Sequence, residues 1–208
     1  MNTKQAYDSW AAQYDTNNNK TRDLEALALR TTLANIDFDA CLEIGCGTGK
    51  NTEWFIIKAK QITAIDLSTE MLAKAKAKIT SNKVQFIQAD IIKPWDFINK
   101  QYNLVSFSLV LEHIENLEPI FNQVAKALVL GGHVYIGELH PFKQYAGTKA
   151  RFETAEGTQV VSCFNHHISD FTSAAKKHGL EVINVNEYFD DNDRTTMPRI
   201  LTLLLKKI

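Results

Sequence analysis

Little in this chain ties it to an oxidising compartment, a bilayer or a polyanion. Its 208 residues include three cysteines, Cys41, Cys46 and Cys163. They are odd in number and form no CxxC pair, which excludes a disulfide framework and reads as reduced thiols. No apolar run approaches the roughly 18 residues of a membrane helix, so no membrane partner is expected. The opening stretch, MNTKQAYDSWAAQYD, is polar and mixed in charge where a secretion signal would be apolar, and a cytoplasmic location follows as an expectation. Lysine and arginine number 23 against 24 acidic residues, a net charge of −1, so no overall field draws nucleic acid or anionic lipid. A basic tract with interleaved aromatics is also missing, and no nucleic-acid partner is expected. Repeats, low-complexity stretches and linkers are absent too. What is present is the balance of an ordinary soluble globular protein, long enough to bury a sizeable core in one domain spanning 1–208.

Strand and helix patterns alternate almost throughout. Helices are expected over 5–14 and 22–35, the second with Leu24, Leu27, Leu29, Leu33 and Ile36 on an apolar face. Strand 40–45, helix 50–59, strand 61–66, helix 69–79 and strand 84–88 follow. Strand 102–107 and helix 117–129 come after a loop with Pro94, and Gly131–Gly132 reads as the stop of that helix. Strand 133–139, helix 169–178, strand 180–188 and a last strand in RILTLLLKKI complete the chain. Between them, 140–168 is broken by Pro141, Gly147 and Gly157. Such a βαβ succession implies an α/β fold with a parallel sheet, and a ligand at the carboxyl ends of its strands.

The segment CLEIGCGTGKNTEWF over 41–55 narrows the ligand. A P-loop would need glycine at Ile44 and serine or threonine at Asn51, so that reading fails twice. A dinucleotide fingerprint would need its third glycine at Lys50, whereas the glycines are Gly45, Gly47 and Gly49. Cys46 inside the loop is a small turn residue before it is a nucleophile.

The run Glu43-Ile44-Gly45-Cys46-Gly47-Thr48-Gly49 resembles motif I of the class I S-adenosylmethionine-dependent methyltransferases. Asp66 ends the second strand, Asp90 follows the third in FIQADI, and YNLVSFSLVLEHI resembles the family's segment after the fourth. YDSWAAQYD resembles a helix of the branch that includes ubiquinone-biosynthesis methyltransferases. The resemblance implies a doubly wound, Rossmann-like seven-stranded sheet of order 3-2-1-4-5-7-6 with the last strand antiparallel. It implies S-adenosylmethionine as cofactor, with Tyr14, Glu43, Gly45, Cys46, Gly47, Gly49, Asp66, Leu67, Met71, Asp90, Ile91 and Phe107 around it. Asp66 would accept the ribose hydroxyls, against a competing role as a helix cap before LSTEML. Glu43 would contact the cofactor ammonium or hold the loop, and Met71 would cover the adenine or pack in the core. The (D/N)PP(Y/F) signature of base-amine and glutamine methylation is missing from SFSLVLEHI, which turns the expectation to a small-molecule acceptor. The other readings are a nicotinamide-dependent oxidoreductase and a non-catalytic, cofactor-binding regulatory module.

Methyl transfer is an in-line displacement, and holding the reacting groups aligned in a dry site can supply up to about 7–11 kcal/mol. A general base is needed only where the acceptor must lose a proton. Candidates for that base are His113 and His140, against packing and turn roles. The adjacent pair His166 and His167 would point to opposite faces, making a poor metal pair; one of them would line the pocket, and no metal is expected. The lid-like segment 140–168 is expected to hold the acceptor, with Arg151 pairing an anionic group, against helices within 1–36 that close from the other side. Its rival is a small excursion with a solvated basic face. The oligomeric state is not legible.

Overall fold

The computed structural model describes residues 2–154 and 157–208. Positions 1, 155 and 156, the last two inside the 140–168 segment, lie outside the described residues. Helix α1 (Thr3–Trp10) starts at Asn2, whose side chain accepts from the Gln5 N–H. It ends four residues earlier than the apolar pattern suggests and gives way to turns over 11–16. Helix α2 (Lys20–Thr32) buries Glu25, Ala26, Ala28 and Leu29. Leu27 is half exposed instead, so the expected leucine face is turned; the tertiary partners of Glu25 decide the rotation.

The strands β1 (Ala40–Ile44), β2 (Gln61–Asp66), β3 (Val84–Gln88), β4 (Tyr102–Ser108) and β5 (Leu128–Leu139) alternate with α3 (Lys50–Lys58), α4 (Thr69–Lys78) and α5 (Leu117–Ala127). Then come α6 (Pro141–Tyr145), the hairpin of β6 (Arg151–Thr154) and β7 (Gly157–Val160), α7 (Ile168–Lys177), β8 (Leu180–Tyr188) and β9 (Ile200–Lys207). The main sheet has the order β3-β2-β1-β4-β5-β9-β8. Strands β1 to β5 run parallel, and β9 lies antiparallel to both β5 and β8. Setting the separate hairpin aside, this is the expected seven-strand order.

Two departures concern the expected breaks. Gly131 and Gly132 do not stop α5, which closes at Leu128; they lie inside β5, Gly131 at φ +75°, where the pairing with β4 shifts register. The segment 140–168 is not wholly irregular, since it carries α6 and the hairpin.

Side-chain alternation along the strands divides the core. Leu42, Ile44, Ile65, Val105 and Phe107 pack with α5 and α7 residues on one face. Cys41, Ile62, Ala64 and Leu104 pack with Leu29, Phe55 and Leu72 on the other. A third cluster joins Ala6, Trp10 and Ala11 to Met71, Phe152 and Val161, so the hairpin and the first helix meet across α4.

Candidate active site

The sheet opens at the carboxyl ends of its strands into a cavity of about 490 Å³. Its floor is the turn after β1. The Gly45 and Cys46 N–H groups both donate to the Ile65 carbonyl, at 2.8 and 2.9 Å, which binds the turn to the end of β2. Gly45 sits at φ +71°, and a Cβ there would stand 2.3 Å from Val110 Cγ2. Gly47, at φ +53°, faces open space, where a Cβ would meet only Tyr14 Cε1 at 3.9 Å.

Asp66 is the pin of this floor. One carboxylate oxygen accepts the Gly47 N–H and the other the Ser68 N–H, each at 2.8 Å. Burial pushes its carboxyl up, and those backbone donors oppose the shift. Ser68, not Asp66, caps α4 by accepting the Met71 N–H. Leu67, Gln88, Asp90, Ile91 and Lys93 continue the wall. Asp90 also accepts the Ile92 N–H at 3.2 Å.

The opposite wall comes from the N-terminus and the turn after β4. Asp8 accepts the Ser68 hydroxyl at 2.6 Å, and Asp15 accepts the Thr48 hydroxyl at 2.6 Å. These bonds lay the N-terminal segment across the strand ends and bring Tyr7 and Tyr14 to the cavity. Tyr14 lies beneath the Arg22 guanidinium, 3.9 Å from its ring, and burial pushes its hydroxyl up to about 12. The Tyr7 hydroxyl is 2.8 Å from His113 Nε2, and His113 Nδ1 is 2.8 Å from the Ser162 carbonyl. Burial lowers the affinity of His113 for a second proton.

The turn carrying His113 is itself held from below. Glu138, buried in β5, accepts the N–H groups of Val110, Leu111 and Glu112 at 3.0, 2.7 and 3.4 Å. Burial pushes its carboxyl up to about 8. Glu112, one residue before His113, is also buried and pushed up to about 7. An oxygen of Glu112, a nitrogen of His113 and the Cys163 sulfur lie within 4.8 Å of one another. Both His113 nitrogens already have partners, and we read the trio as packed neighbours.

A methyltransferase domain family matches residues 42–136, the stretch that carries the floor of the cavity, the Asp66–Asp90 wall and the turn after β4. That stretch, a little under half of the chain, is similar to a methyltransferase domain. A methyltransferase of Emericella nidulans is 22% identical over 98% of this chain and 84% of its own length. The malonyl-[acyl-carrier protein] O-methyltransferase of Priestia megaterium is 32% identical over 61% of the chain and 42% of its own. The ubiquinone biosynthesis O-methyltransferase of Vibrio atlanticus is 29% identical over 50% and 45%. The chain thus matches less than half the length of those two relatives. Among solved structures, the N-methyltransferase NodS of Bradyrhizobium japonicum, in complex with S-adenosyl-l-homocysteine, superimposes with a TM-score of 0.74 at 18% identity, covering 100% of this chain and 99% of that one. A methyltransferase of Mesorhizobium loti gives 0.72 at 22%, covering 89% and 100%. The nicotinamide oxidoreductase reading finds no support in these matches.

Of the residues expected around the methyltransferase cofactor, Tyr14, Gly45, Gly47, Asp66, Leu67, Asp90 and Ile91 line the cavity. The others stand behind it. Glu43 points to the opposite sheet face, where it accepts the Thr52 hydroxyl at 2.6 Å and burial pushes it up to about 8. Cys46 faces the core beside Phe55 and Leu72, and Phe107 packs inward with Leu42 and Ile44. Gly49 opens α3 at φ +85°, and Met71 is fully buried against the N-terminal aromatics.

The acceptor-side expectations change more. His113 lines the cavity, but His140 does not. Fully buried, His140 caps α6 by accepting the Phe142 N–H at Nδ1 and is bonded to Glu187 through Nε2 at 2.9 Å. Arg151 is exposed at the start of the hairpin. His166 is bonded to the Ile114 carbonyl at 2.7 Å, and His167 opens α7 beside the Tyr145 hydroxyl, so neither lines the cavity. The described part of 140–168 supports the site from outside: Phe152 stacks on Trp10 at 5.2 Å and Ser162 fixes His113. Sequence reasoning missed Glu138 and gave no paired role to Tyr7. For Glu138 the signal was a carboxylate inside an otherwise apolar strand, HVYIGEL.

Proposed function

We propose that this chain transfers the methyl group of S-adenosylmethionine to a small-molecule acceptor bound in the cavity at the strand ends. The observation that carries the reading is Asp66, which holds Gly47 at the edge of that cavity with open space above the glycine. Each Asp66 oxygen has accepted one backbone N–H and keeps a second acceptor site, which suits a pair of ribose hydroxyls. Gly45 and Gly47 leave the backbone bare where an amino-acid end must approach closely. Asp90, Leu67 and Ile91 form the wall suited to an adenine, one carboxylate among apolar surface.

When bound, S-adenosylmethionine supplies an electrophilic methyl on a sulfonium sulfur. The chain contributes position and dryness: Tyr7, Tyr14, Val110 and Ile114 enclose the side away from Asp90. That enclosed side is the acceptor end, where a regulatory module would need no such room. The names of the relatives, which include O-methyltransferases and an N-methyltransferase, support methylation of a heteroatom.

Calorimetry with S-adenosylhomocysteine and a labelled-methyl screen of a metabolite library test the reading. Binding together with label transfer is expected. Binding without transfer to any metabolite would favour the regulatory module, and no binding would refute both.

A further inference from the structure

We infer that Tyr7 and His113 form a proton-accepting pair at the acceptor end of the cavity, and that the acceptor carries a phenol-type hydroxyl. The inference rests on the methyltransferase reading above. The two residues are 106 positions apart and meet on the cavity wall, Oη to Nε2 at 2.8 Å. A carbonyl oxygen can only accept, so the bond to Ser162 places the ring proton of neutral His113 on Nδ1. Nε2 then offers a lone pair, and the Tyr7 hydroxyl must donate to it. With its one hydrogen committed to the histidine, Tyr7 presents only lone pairs to the cavity.

A pair that only accepts selects, at its own point of the wall, a ligand group that donates. A carboxylate acceptor has no proton to give, and a neutral amine attacks first and sheds its proton afterwards. A hydroxyl must lose its proton as it attacks, and here the receiving chain is already connected. The surroundings suit an aromatic ring: Tyr14, Val110 and Ile114 flank the pair on the cavity wall.

As the acceptor oxygen bonds to the methyl carbon, the S–C bond breaks and its electron pair stays on sulfur. The acceptor proton passes to Tyr7 Oη, the Tyr7 proton passes to His113 Nε2, and the imidazolium keeps Nδ1–H on Ser162. The products are the methyl ether, neutral S-adenosylhomocysteine and protonated His113, which returns its proton to water when the cavity opens. One positive charge disappears at sulfur as one appears at the ring, so the dry site never holds two. Glu112 Oε1, 3.9 Å from Nε2, faces the new charge. Burial first, and then Tyr14, Glu112, Cys163 and Asp66, disfavour ionisation of Tyr7, which keeps it a relay rather than a standing phenolate. Burial keeps His113 in its free-base form at neutral pH.

The test uses catechol and 4-nitrophenol as hydroxyl probes, aniline as an amine and benzoate as a carboxylate, each with labelled S-adenosylmethionine. The hydroxyl probes should be methylated preferentially. Tyr7→Phe and His113→Gln should lower kcat for catechol by about 10²–10⁴-fold, the range of a lost general base, and less for the more acidic 4-nitrophenol. Affinity for S-adenosylhomocysteine should stay within about threefold in both variants, which also shows that they fold. A second readout needs no acceptor: ring-nitrogen NMR of the wild type, with the His113 signal identified by its loss in His113→Gln, should show the Nδ1–H tautomer. Preference for aniline or benzoate, no labelling of either hydroxyl probe, wild-type rates in Tyr7→Phe, or an Nε2–H tautomer would each overturn the inference. Failure of S-adenosylhomocysteine to bind the wild type would overturn the methyltransferase reading instead.

Discussion

Replacing Gly45 and Gly47 by alanine, one at a time, should separate what holds the loop together from what holds the ligand. Both residues lie at positive φ, +71° and +53°, where a side chain costs about 1–2 kcal/mol. At Gly45 the new Cβ also lands 2.3 Å from Val110 Cγ2. Val110 is β-branched and its N–H is tied to Glu138, so it cannot turn away freely. Overpacking of that kind adds about 1–3 kcal/mol, bringing Gly45→Ala to roughly 2–5 kcal/mol in total. For a chain of this size that lowers Tm by roughly 4–20 °C. At Gly47 the nearest atom is 3.9 Å away, so only the backbone cost applies and Tm should fall by roughly 2–8 °C. The Gly47 methyl group would nonetheless stand on the cavity wall beside Tyr14 and weaken S-adenosylhomocysteine by at least about tenfold, or 1.4 kcal/mol. Thermal unfolding of the free proteins and calorimetry of their complexes read the two effects separately. Wild-type affinity in a folded Gly47→Ala variant would refute the placement of the ligand over this loop.

Asp66→Ala should strand two backbone N–H groups and remove the ribose acceptor, costing about 1–3 kcal/mol of stability and weakening S-adenosylhomocysteine by about 1.5–3 kcal/mol. Unfolding curves and calorimetry check it, and loss of stability alone would leave Asp66 only its structural role. Arg151→Ala, at an exposed site away from the cavity, should change neither KM nor stability by more than about 0.5 kcal/mol, read from kinetics and urea melts. Glu43 gives a pH signature. Burial lifts its carboxyl to about 8 from 4.5, so the folded chain keeps a proton that the unfolded chain releases. That stabilisation is complete below pH 4.5 and is lost as pH rises through about 8. Glu43→Gln should remove this component, so urea melts from pH 5 to pH 8 should fall less steeply for the variant.

The elements that repeat a period along the chain were legible, and those that depend on distant partners were not. Strands 61–66, 84–88 and 180–188 match their structural limits because turn residues and apolar alternation bound them on both sides. Leu27 misled because α2 turns to bury Glu25 against Tyr135, a bond 110 residues away in the chain. Gly131–Gly132 misled because glycine after a helix pattern signals a cap, yet here it serves a strand irregularity. At the site, Asp66 and the glycines were legible because their spacing is local. His140 was not, since whether a histidine near a strand end meets the cavity or a carboxylate depends on where Glu187 arrives. The pairing of Tyr7 with His113 joins two segments that no local pattern connects.

Competitive binding of S-adenosylhomocysteine and NAD to the purified chain, followed by calorimetry, tests the central claim most directly. The Asp66-pinned loop at the strand ends predicts one S-adenosylhomocysteine per chain, with affinity reduced in Gly47→Ala and Asp66→Ala, and much weaker NAD binding. Tight NAD binding with no response to S-adenosylhomocysteine would contradict it.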